Sequence, residues 1–333
     1  VCRNQEEELY LQRMLSLPSR TQEMLKEMYA FVEEAYAAFC KRSARKYNAY
    51  SELDYVARMY DMISEWFQGK YESYEIGNHT EHFFAEQILK AGAERYASVR
   101  DSVLAKQEYA DDVSSDDIHT LYIRARSIFD TNITSFQRKK FENLSHEPNK
   151  AMNLNSYLGL MGKTYAIEAK EGGVLHLTES KKGAFSVPAA DYVITLDADS
   201  LLFYDYAKKL VYFMEDASHR NIAVAQTPYN TFPCPFVNLE RIASATTDVQ
   251  FLIHQGFTYF NASFWVGANA LIRARALEDI KEVDTERGYQ VTRYIQDRTV
   301  IEDTESSIDL LTKQWEVFNY LDKLAFSATP PDF

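Results

Sequence analysis

An apolar run ends in two carboxylates two residues apart: Tyr192-Val-Ile-Thr-Leu-Asp-Ala-Asp199. Such a run reads as a buried parallel strand, and ligands of open α/β sheets sit at the carboxyl ends of such strands. In extended backbone Asp197 and Asp199 would share a side and could address one divalent cation, which would neutralise a diphosphate. Lys150, Asn153 and Asn155 lie where a polar loop enters a helix, a place that favours phosphate. Glu302-Asp303-Thr-Glu305 opens another helix, and Asn4-Gln-Glu6 follows what reads as the last residues of a strand, Val1–Arg3. A lone carboxylate such as Asp303 is either an ordinary helix cap or a base that takes a proton from an attacking hydroxyl.

The elements that would carry these residues follow two grammars. Residues 8–110 are mostly helical, with stripes Leu25, Met28, Val32, Ala35, Phe39, then Leu53, Val56, Tyr60, Ile63, Phe67, then Phe84, Ile88, Ala91, Val99, Val103. Asp111–Asp117 reads as an acidic linker. Beyond it strands and helices alternate, beginning with a strand at Thr120–Ile123. Leu175-His-Leu177 reads as an edge strand, and Phe264–Arg273 as a strand broken by Gly267. This alternation predicts a mainly parallel sheet with helices on both faces. The expected division is 1–7 as the start of a catalytic domain, 8–117 as a helical insertion and 118–333 as the catalytic core.

Composition bounds the function. A chain of 333 residues with 23 Tyr and 20 Phe can bury a sizeable core, and a net charge of −13 argues against a nucleic-acid binder. Cys2, Cys40 and Cys234 are scattered and odd in number, so they read as reduced thiols rather than a disulfide framework. His79 and His82 stand one helical turn apart without a third metal ligand nearby. No run of residues has the length and apolarity of a membrane span.

Six segments in order carry a resemblance to the processive, membrane-embedded family 2 glycosyltransferases, the cellulose, chitin and hyaluronan synthases and their relatives. Arg3-Asn-Gln-Glu6 stands in place of the family's Tyr-Asn-Glu, and Lys150-Ala-Met-Asn-Leu-Asn155 resembles Lys-Ala-Gly-x-Leu-Asn. Leu196-Asp-Ala-Asp199 resembles the Asp-x-Asp strand, and Ala225-Gln-Thr-Pro228 the Val-Gln-Thr-Pro strand. Gly267-Ala-Asn-Ala270 resembles Gly-Thr-Asn-Ala, and Ile301-Glu-Asp303 resembles Thr-Glu-Asp.

The resemblance implies an A-type glycosyltransferase fold and inverting transfer from a nucleotide sugar, UDP-glucose or UDP-N-acetylglucosamine, to a glycan. Asp303 would be the base. Asn4, Glu6, Lys150, Asn153, Asp197 and Asp199 would bind the donor, with Mg²⁺ or Mn²⁺ on Asp199 and Asp197. Trp265, Gly267, Asn269 and Glu302 would line the acceptor site, with Trp265 as a stacking ring. It also implies a longer, membrane-embedded protein acting at the cytoplasmic face.

The family's uracil-reading Asp-Asp-Gly-Ser strand is not visible, and Asp130 is a faint substitute. Its Gln-x-x-Arg-Trp box would fall just past Phe333. Two other classes compete. A nucleotidyltransferase of the same fold would want a Gly-rich phosphate loop that residues 1–18 lack. A non-catalytic interaction domain would not need both Asp199 and Asp303.

Overall fold

The structure is a computed structural model that describes residues 4–45, 47–228, 230–233, 237–267, 269–299 and 301–329, and of Glu6 and Glu302 only the backbone. Two compact units divide the chain, residues 1–135 and 136–333.

The first unit is helical: α1 (Gln5–Ser43), α2 (Ala49–Glu72), α3 (His79–Phe84), a π-helical turn (Ala85–Lys90), α4 (Ala91–Ala105) and α5 (Ser115–Phe129). Val32 and Phe39 of α1 meet Leu53, Val56, Tyr60 and Ile63 of α2 and Ile118, Tyr122 and Phe129 of α5 in one buried cluster. The stripes of α1 and α2 therefore pack as their spacing predicts. The third stripe is displaced over its first half, while Val99 and Val103 pack inward as expected. Leu89, Gly92 and Ala93 are buried instead of Ile88 and Ala91, within and just after the π-helical turn, whose wider winding departs from the 3.6-residue spacing.

Among the described residues of this unit three expectations fail: the loop at Asn4–Glu6, the strand at Thr120–Ile123 and the linker as far as Asp117. Val1–Arg3, read as the end of a strand, lie outside the described residues. Asn4 is the N-cap of α1, its side chain accepting the Glu7 N–H at 2.8 Å, so the supposed loop is the first turn of a helix. Thr120–Ile123 is helical within α5, whose apolar residues 118, 121, 122, 125 and 129 keep helical spacing. A reciprocal cap by Ser114 and Asp117 starts that helix inside the supposed linker. These contacts override the β-favouring run, and the helical unit reaches residue 135 rather than 117.

The second unit holds α6 (Lys150–Leu158), β1 (Lys163–Ala169), β2 (Leu175–Glu179), β3 (Phe185–Val187), β4 (Tyr192–Thr195), β5 (Ser200–Leu202) and α7 (Tyr206–Met214). It continues through β6 (Ile222–Gln226), β7 (Asn230–Thr231), α8 (Asn238–Tyr259), β8 (Ala270–Arg273), α9 (Ala274–Asp279), β9 (Glu282–Glu286) and β10 (Tyr289–Arg293). It closes with α10 (Glu302–Thr312), β11 (Glu316–Asn319) and β12 (Ala325–Ser327). The central sheet has the order β11-β6-β8-β4. A separate small sheet, β2-β1-β3, carries the expected edge strand as β2.

The central sheet is mixed rather than mainly parallel. β11 and β6 run parallel, but β8 is antiparallel to both β6 and β4. The cause is α8. A parallel crossover must return the chain to the amino end of the sheet. α8 stays instead at the carboxyl end, where Gln255 donates to Asn319 O at 3.0 Å, so the chain enters β8 in reverse. Only residues 270–273 of the expected strand 264–273 pair as strand.

Helices do cover both faces. Ala270 and Ile272 face a cluster with Leu158 of α6, Leu277 of α9 and Leu310 of α10. Leu271, between them, faces Leu210 and Met214 of α7. Burying Leu271 and Ile272 contributes about 1.5–3 kcal/mol each, which fixes the strand that leads out of the candidate site. No helix among the described residues is long and apolar enough to cross a membrane.

Candidate active site

One row of residues crosses the central sheet at one end: Thr195 pairs with Ala270, Ala270 with Gln226, and Gln226 with Asn319. Thr195, Gln226 and Asn319 close their strands here, and Ala270 opens β8. The Asp197–Asp199 segment leaves the sheet after Thr195, and Gly267 and Asn269 arrive just before Ala270. The carboxylate pair and the glycine segment thus belong to the same sheet end.

Asp197 and Asp199 are not in extended backbone. Ser200 N–H donates to Asp197 O at 3.1 Å, closing a turn over 197–200, so the same-side argument for an extended strand does not apply. An aspartate is a favoured first residue of such a turn. Asp199 is exposed and Asp197 half-buried. A second contact binds this turn to a further sheet, of order β5-β12-β7: Ala328, just after β12, donates its N–H to Asp199 O at 3.3 Å. Ser200 Oγ and Ser327 Oγ share a hydrogen bond of 2.6 Å, and Asn269 Nδ2 donates to the same Ser327 Oγ at 3.2 Å.

Lys150 is the first residue of α6, whose N-cap Asn149 accepts the Met152 N–H at 2.7 Å. Its ammonium reaches across to the Asp197 carboxylate and pairs with it. Lys150 and Asp197 are therefore neighbours. Asn153 is exposed on the same helix. Asn155 is fully buried and structural: its side chain accepts from Tyr294 and Ile295 N–H at 2.9 Å each and donates to Ile295 O at 2.7 Å. It is removed from the phosphate cluster.

Asp303 lies inside the first turn of α10, not at its cap. The N-cap position is Ile301, which makes no capping bond. Asp303 Oδ1 accepts the Thr304 N–H at 2.8 Å, while Oδ2 stands against Gly267. A Cβ on Gly267 would lie 2.9 Å from that oxygen, and Gly267 has φ +92°, a conformation natural to glycine. The base candidate and Gly267 are therefore neighbours. The side chain of Glu302 lies outside the described residues, as does Ala268.

Two acceptor-site expectations are corrected. Trp265 is 2% exposed and packs in the core, so its ring has no face left for a sugar. Asn269, at φ +56°, is fully buried, its amide bonded to Ser327. It shapes the segment from beneath. Tyr259 and Phe260, at the end of α8, are by contrast 84% and 75% exposed. Asn4 and Glu6 belong to the helical unit, as does Asp130, the exposed C-cap of α5.

Sequence reasoning gave no role to Gln226, Asn319, Ser307 or His254, which lie around the 264–266 segment. Gln226 and Asn319 share a hydrogen bond of 2.6 Å, and Asn319 Nδ2 donates to His254 O, Thr258 Oγ1 and Ser263 Oγ at 3.0, 2.8 and 2.7 Å. Burial holds the His254 imidazole below its usual pKa. The available signal was a polar residue closing an otherwise apolar strand, as in Ile222-Ala-Val-Ala-Gln226.

The donor set suits a cation held jointly with a ligand. No group of three or more His, Cys, Asp or Glu converges among the described residues. Asp197 and Asp199 supply carboxylate oxygens, and Mg²⁺ is commonly bound by one or two carboxylates together with substrate phosphates.

Residues 192–333, under half of the chain, match the family model described as Glycosyl transferase family group 2. The match begins at the first residue of β4 and spans Asp197, Asp199, Gly267 and Asp303. A search of curated proteins gives no match. The match makes residues 192–333 similar to family 2 glycosyltransferases and supports a glycosyltransferase enzyme.

Proposed function

We propose that this glycosyltransferase moves a hexosyl group from a UDP-sugar, UDP-glucose or UDP-N-acetylglucosamine, to a hydroxyl of a growing polysaccharide with inversion at the anomeric carbon. The observation that carries the reading is the contact of Asp303 Oδ2 with Gly267, at the sheet end from which Asp197 and Asp199 emerge. Asp303 would take the proton of the acceptor hydroxyl as its oxygen bonds to the anomeric carbon. The bond from that carbon to the diphosphate oxygen breaks, and its electron pair leaves with UDP. A single displacement inverts the centre and needs no second nucleophilic carboxylate.

Lys150 would touch the donor's phosphates. It faces Asp197, so a diphosphate arriving at this corner would meet an ammonium already in place. Asp199, helped by Asp197, would hold Mg²⁺ or Mn²⁺, which supplies charge neutralisation for the departing diphosphate. Gly267, which has no side chain of its own, would admit the acceptor close to the base. The resemblance to cellulose and chitin synthases supports a longer protein acting at the cytoplasmic face of a membrane.

The test is UDP release from a panel of UDP-sugars with Mn²⁺, by the wild-type chain and by Asp303→Asn. The reading expects release from one donor class, lost in the variant by about 10²–10⁴-fold. Equal release by both proteins would remove Asp303 from the chemistry.

A further inference from the structure

The segment Phe264–Val266, just before Gly267, belongs to no strand, yet its main chain is gripped from two sides. From β6, Gln226 Nε2 donates to Phe264 O at 2.9 Å, and Gln226 Oε1 accepts the Val266 N–H at 2.9 Å. From α10, Ser307 Oγ accepts the Trp265 N–H at 2.8 Å and donates to Asp303 O at 2.8 Å. The carboxamide thus imitates one rung of a strand ladder, bonding residues two apart. On the opposite edge a single hydroxyl joins the same segment to the backbone of Asp303. Gln226 is fully buried, and its orientation is fixed by Asn319 Oδ1, which accepts from Nε2 at 2.6 Å.

We propose that Gln226 is a positioning residue for Asp303: its carboxamide holds the 264–266 strap against Ser307, so that Gly267 presents its bare Cα to the Asp303 carboxylate. The inference rests on the reading of Asp303 as the base. Gln226 touches neither donor nor acceptor in this role and acts through the strap alone. A glutamine is required because the strap offers one carbonyl and one N–H. Only a side chain with both a donor and an acceptor satisfies the pair.

The experiment compares the full chain with Gln226→Met, which keeps length and removes both bonds, by hydrogen–deuterium exchange and by UDP-release kinetics. Exchange over residues 260–267 and the first turn of α10 should rise about tenfold, while β8 and the 197–200 turn keep wild-type rates. The kcat should fall about tenfold or more with the donor KM within about twofold, since a misplaced base costs rate rather than donor affinity. Unchanged exchange in the strap would overturn the proposal. So would a fall in kcat matched by a rise in KM, or faster exchange throughout the sheet.

If Gln226→Met does not fold, Gln226→Glu keeps the shape and the acceptor while losing the donor, and the same two signatures apply. Absence of turnover in the wild type would count against glycosyl transfer at this site. The exchange measurement would still decide whether Gln226 holds the strap.

Discussion

Gly267 and Asp303 share one small volume: the Asp303 Oδ2 oxygen lies 2.9 Å from where a Cβ on Gly267 would stand, and Gly267 is at φ +92°. A side chain at 267 is therefore opposed twice, by the backbone conformation and by the carboxylate. Gly267→Ala should cost about 1–3 kcal/mol of stability from backbone strain. It should also displace the carboxylate and lower turnover by about tenfold or more, because small misplacements of a catalytic group are costly. Thermal melts and UDP-release rates check the two parts. Full activity in a normally folded variant would separate Gly267 from the chemistry.

Lys150 and Asp197 form an ion pair whose side chains remain 43% and 31% exposed. Pairs of that exposure contribute at most about 1 kcal/mol. Lys150→Met should leave the melting temperature nearly unchanged while weakening UDP binding by about tenfold, the loss of a charge-assisted contact to phosphate. Calorimetry beside a thermal melt distinguishes the outcomes. A large drop in stability with unchanged UDP affinity would make the lysine structural.

His254 is 5% exposed, and burial holds its pKa below the ordinary histidine value. The unfolded chain therefore binds a proton more readily than the folded one. The stability contribution is complete above the unfolded value of about 6.5 and is lost as the pH falls through the folded value. Melting temperature should fall on acidification from about pH 7 to pH 5, and His254→Gln should flatten that slope. An equally steep slope in the variant would place the acid sensitivity elsewhere.

The helical unit offers a pair of glycine substitutions with opposite signs. At Gly92 an added Cβ would lie 2.7 Å from Phe67 Cδ1, whereas at Gly69, exposed in α2, nothing lies within 4 Å. Gly92→Ala should destabilise by about 1–3 kcal/mol through overpacking. Gly69→Ala should stabilise by about 0.5–1 kcal/mol through helix entropy. Denaturant melts of both variants check the signs, and a stable Gly92→Ala would mean that the Phe67 ring yields.

The sequence made the helical stripes, the central strands and the polar corner legible, because each depends on local spacing. Val32, Leu53 and Ile63 are inward as their periodicity requires. What escaped depended on contacts between distant residues. The helix over 120–123 is imposed by packing and by the Ser114 cap, against the preference of its own β-branched residues. The reversal of β8 follows from where α8 runs, which no spacing in the strand reveals. Trp265 is buried and the Tyr259–Phe260 pair exposed for the same reason, since exposure is decided by neighbours rather than by residue type. Asp303 lies at a helix start as its sequence context suggests, but only the structure shows that Ile301 takes the cap position and that Asp303 stands beside Gly267.

The measurement that tests the account most directly is calorimetric titration of UDP into the chain with and without Mn²⁺, repeated on Asp199→Ala and Asp303→Asn. The account predicts Mn²⁺-dependent binding that Asp199→Ala abolishes and Asp303→Asn leaves intact. UDP binding that is unchanged in Asp199→Ala would contradict it.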